Sequence, residues 1–356
     1  MSEKTDCFYY ASNLIWQENQ VGKMKVIEWF KKNTYSSEQF SDISMLTKKK
    51  RKEKLKVSCV IPTLNEEDNI ANVVKEAMKL MKRKFLDEVL VIDSGSNDNT
   101  QREAEKAGAT FVAAKDILKK YGDKRGKGEN LWKSLYVTTG DIIAWVDADI
   151  KNISTKFIYG IVGPLIKNSQ LDFAKAFYRR PIRIGNDLNP MGGGRVTEIL
   201  VRPLFNMHFP RLSGFIQPLS GEYAGRRNAL EKIPFFTGYG VETGMLIDLE
   251  KMIGLKKMAQ VDLTTRIHRN QPLENLSRMS FEILQAFFER ASAFGSIAQL
   301  EEINETYTKI DSMIRGKQRK YSLNTSIIKE WQRPPMISLP EYRKKFRIKE
   351  NELFTQ

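Results

Sequence analysis

Three apolar runs of strand length recur in the first half of this chain: "LKVSCVIP" at 55–62, "DEVLVID" at 87–93 and "DIIAWVD" at 141–147. Each stops at a polar loop. After the first loop, Ile70, Val73, Val74, Ala77 and Met81 fall on one helical stripe. After the second, "TQREAEKAG" reads as a helix closed by Gly108, where a left-handed cap is usual. "TFVAA" supplies a further strand and "GENLWKSLYVTTG" a helix before the third of these runs begins. Parallel neighbours need a crossover of a dozen or more residues, usually a helix. The alternation therefore predicts an α/β chain whose sheet is mostly parallel and covered on both faces. Ligands of such sheets sit at the carboxyl ends of the strands. "TLNEE" at 63–67, Asp93 and Asp147 all fall at such ends.

With 356 residues, 41% of them hydrophobic, the chain can bury a full core and still carry appendages. Only Cys7 and Cys59 are present, and the start lacks the charged-then-apolar build of a secretory leader, so a disulfide framework is not expected and a cytoplasmic location is. No apolar run reaches the roughly 18 residues that cross a bilayer, which argues against an integral membrane enzyme. The net charge of +15 predicts an anionic partner, nucleic acid or a phosphorylated small molecule. Part of that charge is "KKKRKEK" at 48–54, which reads as a solvated linker. Residues 1–54 then form a helical arm, with one amphipathic helix near 22–32, followed by this linker. Beyond residue 170, "FAKAFYRR" reads as a strand, "GGGRVTEILVRPLF" as a glycine turn feeding a helix, and "LSRMSFEILQAFFERASAFG" as a strongly apolar helix. The charged tail, broken at Pro334-Pro335, is expected to pack as helix or form an interface.

Several of these strand-end loops carry chemistry. Asp147 and Asp149, one residue apart at the end of a buried strand, can hold a divalent cation that also ligates a diphosphate, although an isolated Asp-x-Asp is more often a turn cap and only the neighbouring loops reverse that reading. Glu66 or Asp93, beside exposed backbone donors, can bind a nucleobase imide or ribose hydroxyls. Lys127 lies between glycines in "RGKGE", where a cation can approach a diphosphate. His268 in "TTRIHRNQ" is one of two histidines, and imidazole with carboxylate is a sound metal pair. His208, in "NMHFP", reads as structural. In "GGGRVTE" the glycines admit an anion to the backbone and the following helix offers free N–H groups, with Arg195 and Thr197 adding a cation and a hydroxyl. Glu242 follows two glycines in "GYGVETG".

Taken in order, "IPTLNEEDNI", "VIDSGSNDNT", "RGKGENLWKSL", "GDIIAWVDADI", "GGGRVTEILVRPL", "QPLSGEYAGRR", "GYGVETGMLIDL" and "RIHRNQPL" resemble the nucleotide-sugar glycosyltransferases of the GT-A fold, and more closely the glucosyl-3-phosphoglycerate synthases. The resemblance spans about residues 57 to 300. It implies a nucleotide-sugar-binding half at 55–170, an acceptor-binding half at 171–275 and a C-terminal helical extension at 276–356. It implies donor contacts from Pro62, Thr63, Leu64, Glu66, Asp93, Ser94, Lys127, Asp147, Ala148 and Asp149. It assigns the acceptor to Arg179, Gly194, Arg195, Val196, Thr197 and Asn270, and a magnesium, manganese or cobalt ion to Asp149 and His268. Glu242 is then expected to face the transferred sugar, and the backbone carbonyl near Leu219 to stabilise its developing positive charge, with no protein nucleophile.

The reaction implied is transfer of glucose from UDP-glucose, or another nucleotide donor, to the 2-hydroxyl of 3-phosphoglycerate with retention of configuration. The product would feed synthesis of glucosylglycerate, a compatible solute or polysaccharide building block. Family members often form homodimers, and the apolar 276–295 stretch could serve as the contact. Three rivals remain: a mannosyl-3-phosphoglycerate synthase using GDP-mannose, a transferase to polyprenyl phosphate, and, from another class, a basic nucleic-acid-binding protein whose binding falls steeply with salt.

Overall fold

A strand covered on both faces must be apolar or partnered along its whole length, and β2 (Val57–Thr63) is buried at every one of its seven positions. The computed structural model describes residues 26–180, 182–184, 187–189, 194–267, 271–300, 302–315 and 318–349. Ahead of β2 come α1 (residues 26–33), β1 (Thr34–Ser36) and α2 (Ile43–Lys52). After it the chain alternates as the sequence predicts: α3 (Ile70–Lys82), β3 (Glu88–Asp93), α4 (Thr100–Ala107), β4 (Thr110–Ala113), α5 (Lys127–Val137), β5 (Ile142–Trp145), α6 (Lys156–Lys167) and β6 (Phe173–Arg179). A two-strand ribbon, β7 (Ile182–Ile184) with β8 (Asp187–Asn189), precedes α7 (Arg202–His208), β9 (Tyr223–Arg226), α8 (Arg227–Leu230), β10 (Phe235–Phe236), α9 (Val241–Ile253), β11 (Met258–Thr265) and α10 (Leu273–Ala293).

Eight strands form one sheet in the order β1-β11-β6-β9-β5-β2-β3-β4. All run in one direction except β9, which is antiparallel to both of its neighbours, β5 and β6. The carboxyl ends of β2, β3, β5, β6 and β11 therefore share one edge with the amino end of β9. In register, Thr63 lies beside Asp93, and Tyr223 beside both Trp145 and Lys175. Strand alternation sorts the core into two layers. Cys59, Ile61 and Ala144 face the layer under α3 and α6, and Val60, Ile143 and Trp145 face the layer under α5 and α9. Burial pushes the Cys59 thiol up to about 12, which leaves it an inert core residue.

Three parts differ from the sequence reading. The basic run is not a linker. Most of it is the end of α2, where Lys50 is buried and its ammonium donates to Phe85 O at 3.1 Å and to the Asp87 carboxylate. The N-terminal arm is not purely helical, because β1 pairs in parallel with β11 and extends the sheet. The C-terminal extension carries the long helix α10, but then a hairpin of two ten-residue strands, β12 (Thr306–Arg315) and β13 (Gln318–Ile327), which the charged composition did not reveal as strand. After it, β14 (Gln332–Arg333) pairs with β10, and the short α11 (Pro340–Phe346) follows. Arg333 places its guanidinium 2.7 Å from both oxygens of the buried Glu129 in α5. The tail is thus stitched to the helix that begins at Lys127.

Candidate active site

Two cavities open along the carboxyl edge of the sheet. The larger, about 650 Å³, is walled by the β2 loop (Pro62, Thr63, Leu64, Asn65, Glu66), the β3 loop (Ser94, Gly95, Asn97), the start of α5 and the Asp147-Ala148-Asp149 segment. That volume falls in the range that accepts a small-molecule cofactor or substrate. The smaller, about 240 Å³, is walled by Gly194, Arg195, Val196, Thr197, Leu219, Glu242 and residues of α10. Lys127, Asp147, Asp149 and Tyr239 line both, so the cavities meet over these four side chains.

Local hydrogen bonding explains the loop geometry. Asn65, with φ of +54°, accepts from Asn97 N–H at 2.9 Å, and its own N–H donates to Ser96 Oγ at 2.8 Å, so the β2 and β3 loops are zipped together. Asn69 donates to Ala148 O at 2.6 Å and to Ile150 O at 3.1 Å, which ties the start of α3 to the Asp-Ala-Asp turn. On the other side, Lys151 N–H donates to Ile267 O at 3.0 Å and Ile267 N–H to Asn152 Oδ1 at 2.8 Å. The chain leaving β11 is thereby held beside that same turn.

The charged centre is a chain of ion pairs. Lys127 Nζ lies 2.7 Å from Asp147 Oδ1 and 3.0 Å from Glu242 Oε1. Arg266 Nη2 reaches Asp147 Oδ2 at 3.0 Å and Asp149 Oδ1 at 2.5 Å, while its Nη1 meets Tyr178 Oη at 2.8 Å and Glu222 Oε1 at 3.2 Å. Burial opposes the Asp147 charge, but Lys127 and Arg266 outweigh it and hold the carboxyl well below the usual range. Burial also opposes the Lys127 charge, and Asp147 and Glu242 keep that amine well above its ordinary value. Glu222, fully buried beneath Arg266, is pushed upward by burial against the pull of Arg266. Gly221 makes room for this cluster, since a Cβ there would lie 1.9 Å from Asp147 Oδ2.

Most of the residues singled out from sequence line the two cavities, and two do not reach them. Asp93 is buried with its carboxylate turned into its own loop, accepting from Gly95 N–H at 2.8 Å and Ser96 N–H at 2.7 Å, so it shapes the loop that presents Ser94 instead of lining the cavity. Arg179 ends β6 exposed to solvent, while the next residue, Arg180, lines the smaller cavity and donates to Tyr178 Oη at 2.9 Å. Successive side chains on a strand face opposite ways, and choosing between two adjacent arginines needs that phase. His268 and Asn270 lie outside the described residues. His208 bonds to Ser296 Oγ at 3.1 Å and stacks edge-on to Phe287, a structural setting away from both cavities. Sequence reasoning did not single out Arg266, Glu222, Tyr239 or Arg180. The signal for Arg266 was its place two residues before His268, in a motif already quoted.

A metal fits the residues present. Asp147 and Asp149 offer carboxylate oxygens, the hard donors that magnesium and manganese prefer, and both face the space where the cavities join. Among the described residues Asp149 takes its bond from Arg266 alone.

Comparison with known proteins places this geometry. Residues 58–189 match the family model "Glycosyl transferase family 2". The chain is 47% identical over 317 residues to a glucosyl-3-phosphoglycerate synthase of Petrotoga mobilis, an alignment covering 88% of this chain and 96% of that protein. It is 44% identical over 234 residues to one from Mycolicibacterium smegmatis, covering 66% of this chain and 77% of that protein. Among solved structures, the fold matches a mannosyl-3-phosphoglycerate synthase from Rubrobacter xylanophilus (TM-score 0.79, 37% identity, covering 88% of this chain and 99% of that one). It also matches a glucosyl-3-phosphoglycerate synthase from Mycobacterium tuberculosis crystallised with Mn2+, UDP and phosphoglyceric acid (TM-score 0.72, 36% identity, 83% and 94% covered). A further structure of the latter protein holds Mg2+ and UDP.

Proposed function

This chain belongs to the family of glucosyl-3-phosphoglycerate synthases, and from that premise we propose that it transfers glucose from UDP-glucose to the 2-hydroxyl of 3-phosphoglycerate with retention of configuration. The observation that carries this reading is the junction of the two cavities at Lys127, Asp147, Asp149 and Tyr239. A donor in the larger cavity and an acceptor in the smaller one meet there.

In this reading the nucleoside lies along the Pro62–Glu66 loop and Ser94, with the diphosphate at Lys127, whose ammonium stands at the positive end of the α5 dipole. Asp149, with His268, would hold magnesium or manganese, and the ion would supply charge neutralisation at the diphosphate. The acceptor's anionic groups sit on Arg195, Thr197 and the backbone of Gly194 and Val196, at the start of the helical stretch that continues into α7. Asn270 is assigned to the same acceptor. As the bond from the anomeric carbon to the UDP oxygen breaks, the acceptor oxygen bonds to that carbon on the same face. Its proton passes to the departing diphosphate oxygen.

Glu242 is committed to Lys127 and receives the Tyr223 hydroxyl at 3.5 Å, which suits a fixed acceptor for sugar hydroxyls better than an attacking nucleophile. The Leu219 carbonyl faces the developing cation from the smaller cavity. Arg180 takes the role first given to Arg179, closing over the acceptor.

The chain works in the cytoplasm as a homodimer and feeds synthesis of a glucosylglycerate compatible solute. No described helix is long and apolar enough to cross a membrane, which does not favour a polyprenyl acceptor. The mannosyl relative is the reason to test the donor directly. The deciding experiment is a turnover matrix of UDP-glucose, GDP-glucose and GDP-mannose with 3-phosphoglycerate, with and without magnesium, and in parallel Asp149→Ala. Glucosyl transfer that needs metal and vanishes in the variant supports the reading. Mannosyl transfer alone would reassign the donor, and salt-sensitive nucleic-acid binding without any turnover would replace the reading altogether. Size-exclusion chromatography with light scattering tests the dimer.

A further inference from the structure

The loop that separates donor from acceptor is held by two acids that the transfer chemistry does not use. Glu330, just ahead of β14, accepts from Gly238 N–H at 2.9 Å and from Gly240 N–H at 2.8 Å. Glu282, on α10, accepts from Tyr239 N–H at 3.1 Å. Three consecutive backbone donors thus end on two carboxyl groups whose oxygens converge beside Gly238. Two carboxylates that close repel each other when both are charged, and one proton between them relieves the repulsion. The approach is close: a Cβ at Gly238 would lie 2.5 Å from Glu330 Oε1 and 2.6 Å from Glu282 Oε2. Glu330 is itself fixed, because its N–H donates to Gln285 Oε1 at 2.9 Å and Gln285 Nε2 donates to Ile328 O at 2.8 Å. The loop has functional reach, since Tyr239 lines both cavities and Glu242 follows two residues after Gly240.

We propose that Glu282 and Glu330 are positioning residues that share one proton to hold the 238–240 loop, and through it Tyr239 and the start of α9, at the junction where sugar transfer takes place. The proposal rests on the functional reading above. It makes the C-terminal segment, which contributes Glu330, part of the catalytic apparatus.

The surroundings set the pH at which the clamp fails. Burial pushes Glu330 up to about 8, with Glu282 adding repulsion, and burial moves Glu282 upward as well. The cation acting on Glu282 is Arg278, from its own helix. From the loop side, the charges of Glu282, Lys127, Glu242 and Asp147 all act on the Tyr239 hydroxyl, and Glu282 lines the larger cavity beside Tyr239. On the tail side, Lys329 is paired with Glu305, and Lys124 lies 3.6 Å from the centroid of the Trp331 ring. Above the range where the shared proton leaves, two half-buried negative charges face each other and the loop loses its hold.

The test is the pH dependence of kcat for the wild type, Glu282→Gln and Glu330→Ala, with UDP affinity and thermal unfolding measured on the same preparations. A glutamine at 282 donates to Glu330 without titrating, so the alkaline limb of kcat should move upward by about one pH unit. Glu330→Ala should lower kcat by about tenfold or more while KM for both substrates changes less, in protein that still unfolds cooperatively. An alkaline limb that stays in place in Glu282→Gln, or wild-type kcat in Glu330→Ala, overturns the proposal with the functional reading intact. A wild type that neither binds UDP nor turns over would instead overturn the functional reading on which the proposal rests.

Discussion

The ammonium of Lys127 lies 3.0 Å from the carboxylate of Glu242, and the pair spans the line where the two cavities meet. The partners come from different elements, Lys127 from the first residue of α5 and Glu242 from the first turn of α9. Each helix start lies against the other through Glu129 N–H, which donates to Thr237 O at 3.1 Å just ahead of the loop entering α9. The arrangement sets an ammonium against a carboxylate where the two cavities join, oriented before any substrate arrives. Such preorganised charge is where enzymes obtain much of their rate.

Replacing Lys127 by Met should lower kcat/KM for UDP-glucose by roughly 10²- to 10³-fold, the scale seen when one preorganised stabilising group is removed. Steady-state kinetics with varied donor will check it. A loss confined to KM would show that Lys127 binds substrate and transition state equally and takes no part in the chemical step.

Gly221→Ala should cost activity without replacing any charged residue. The new Cβ would meet Asp147 Oδ2 at 1.9 Å, so the carboxylate must move away from Lys127 and Arg266. Overpacking of this kind destabilises by about 1–3 kcal/mol. Thermal unfolding and turnover should both fall, and a variant with wild-type values in both would show that Asp147 has room to relax.

Arg266 carries charge partners on several sides, so Arg266→Met should destabilise strongly, by about 3–5 kcal/mol, because Glu222 is left as an uncompensated buried acid and Asp147 keeps Lys127 alone as its cation. Asp147 also sets an acid limit. Its folded pKa is depressed, so its contribution is present above the ordinary aspartate value of about 3.9 and is lost as pH falls towards the folded one. Urea unfolding from about pH 5 downward should therefore show stability declining in the wild type, and declining less in Asp147→Asn.

Metal removal should silence the enzyme reversibly. Chelation is expected to abolish transfer and either magnesium or manganese to restore it, whereas Asp149→Asn should need much higher metal for the same rate. Isothermal titration of UDP with and without metal gives a readout independent of turnover. Equal affinity in both conditions would remove the cation from donor binding.

How much of this was legible beforehand follows from the range of the interactions. Strand and helix alternation, the loops at 63–67 and 94–97, the Asp-Ala-Asp turn and the Gly194–Thr197 segment were all readable, because each depends on neighbours within a few residues. They set the α/β class and put most cavity-lining residues on the right loops. Phase at a strand end was harder: Arg179 and Arg180 are adjacent, and only the completed sheet decides which one faces the cavity. Asp93 has the right position and chemistry, yet its carboxylate is spent on its own turn. The charged tail read as helix because its composition lacks an apolar alternation strong enough to announce a hairpin. What the tertiary structure alone decided is the set of partners: Arg266 between Asp147, Asp149 and Glu222, Lys127 between Asp147 and Glu242, and the tail's Glu330 beneath Gly238 and Gly240. Local sequence determines which chemical groups a loop presents. Which buried charges neutralise one another depends on where distant strands and helices pack, and that is settled by burial of the whole core.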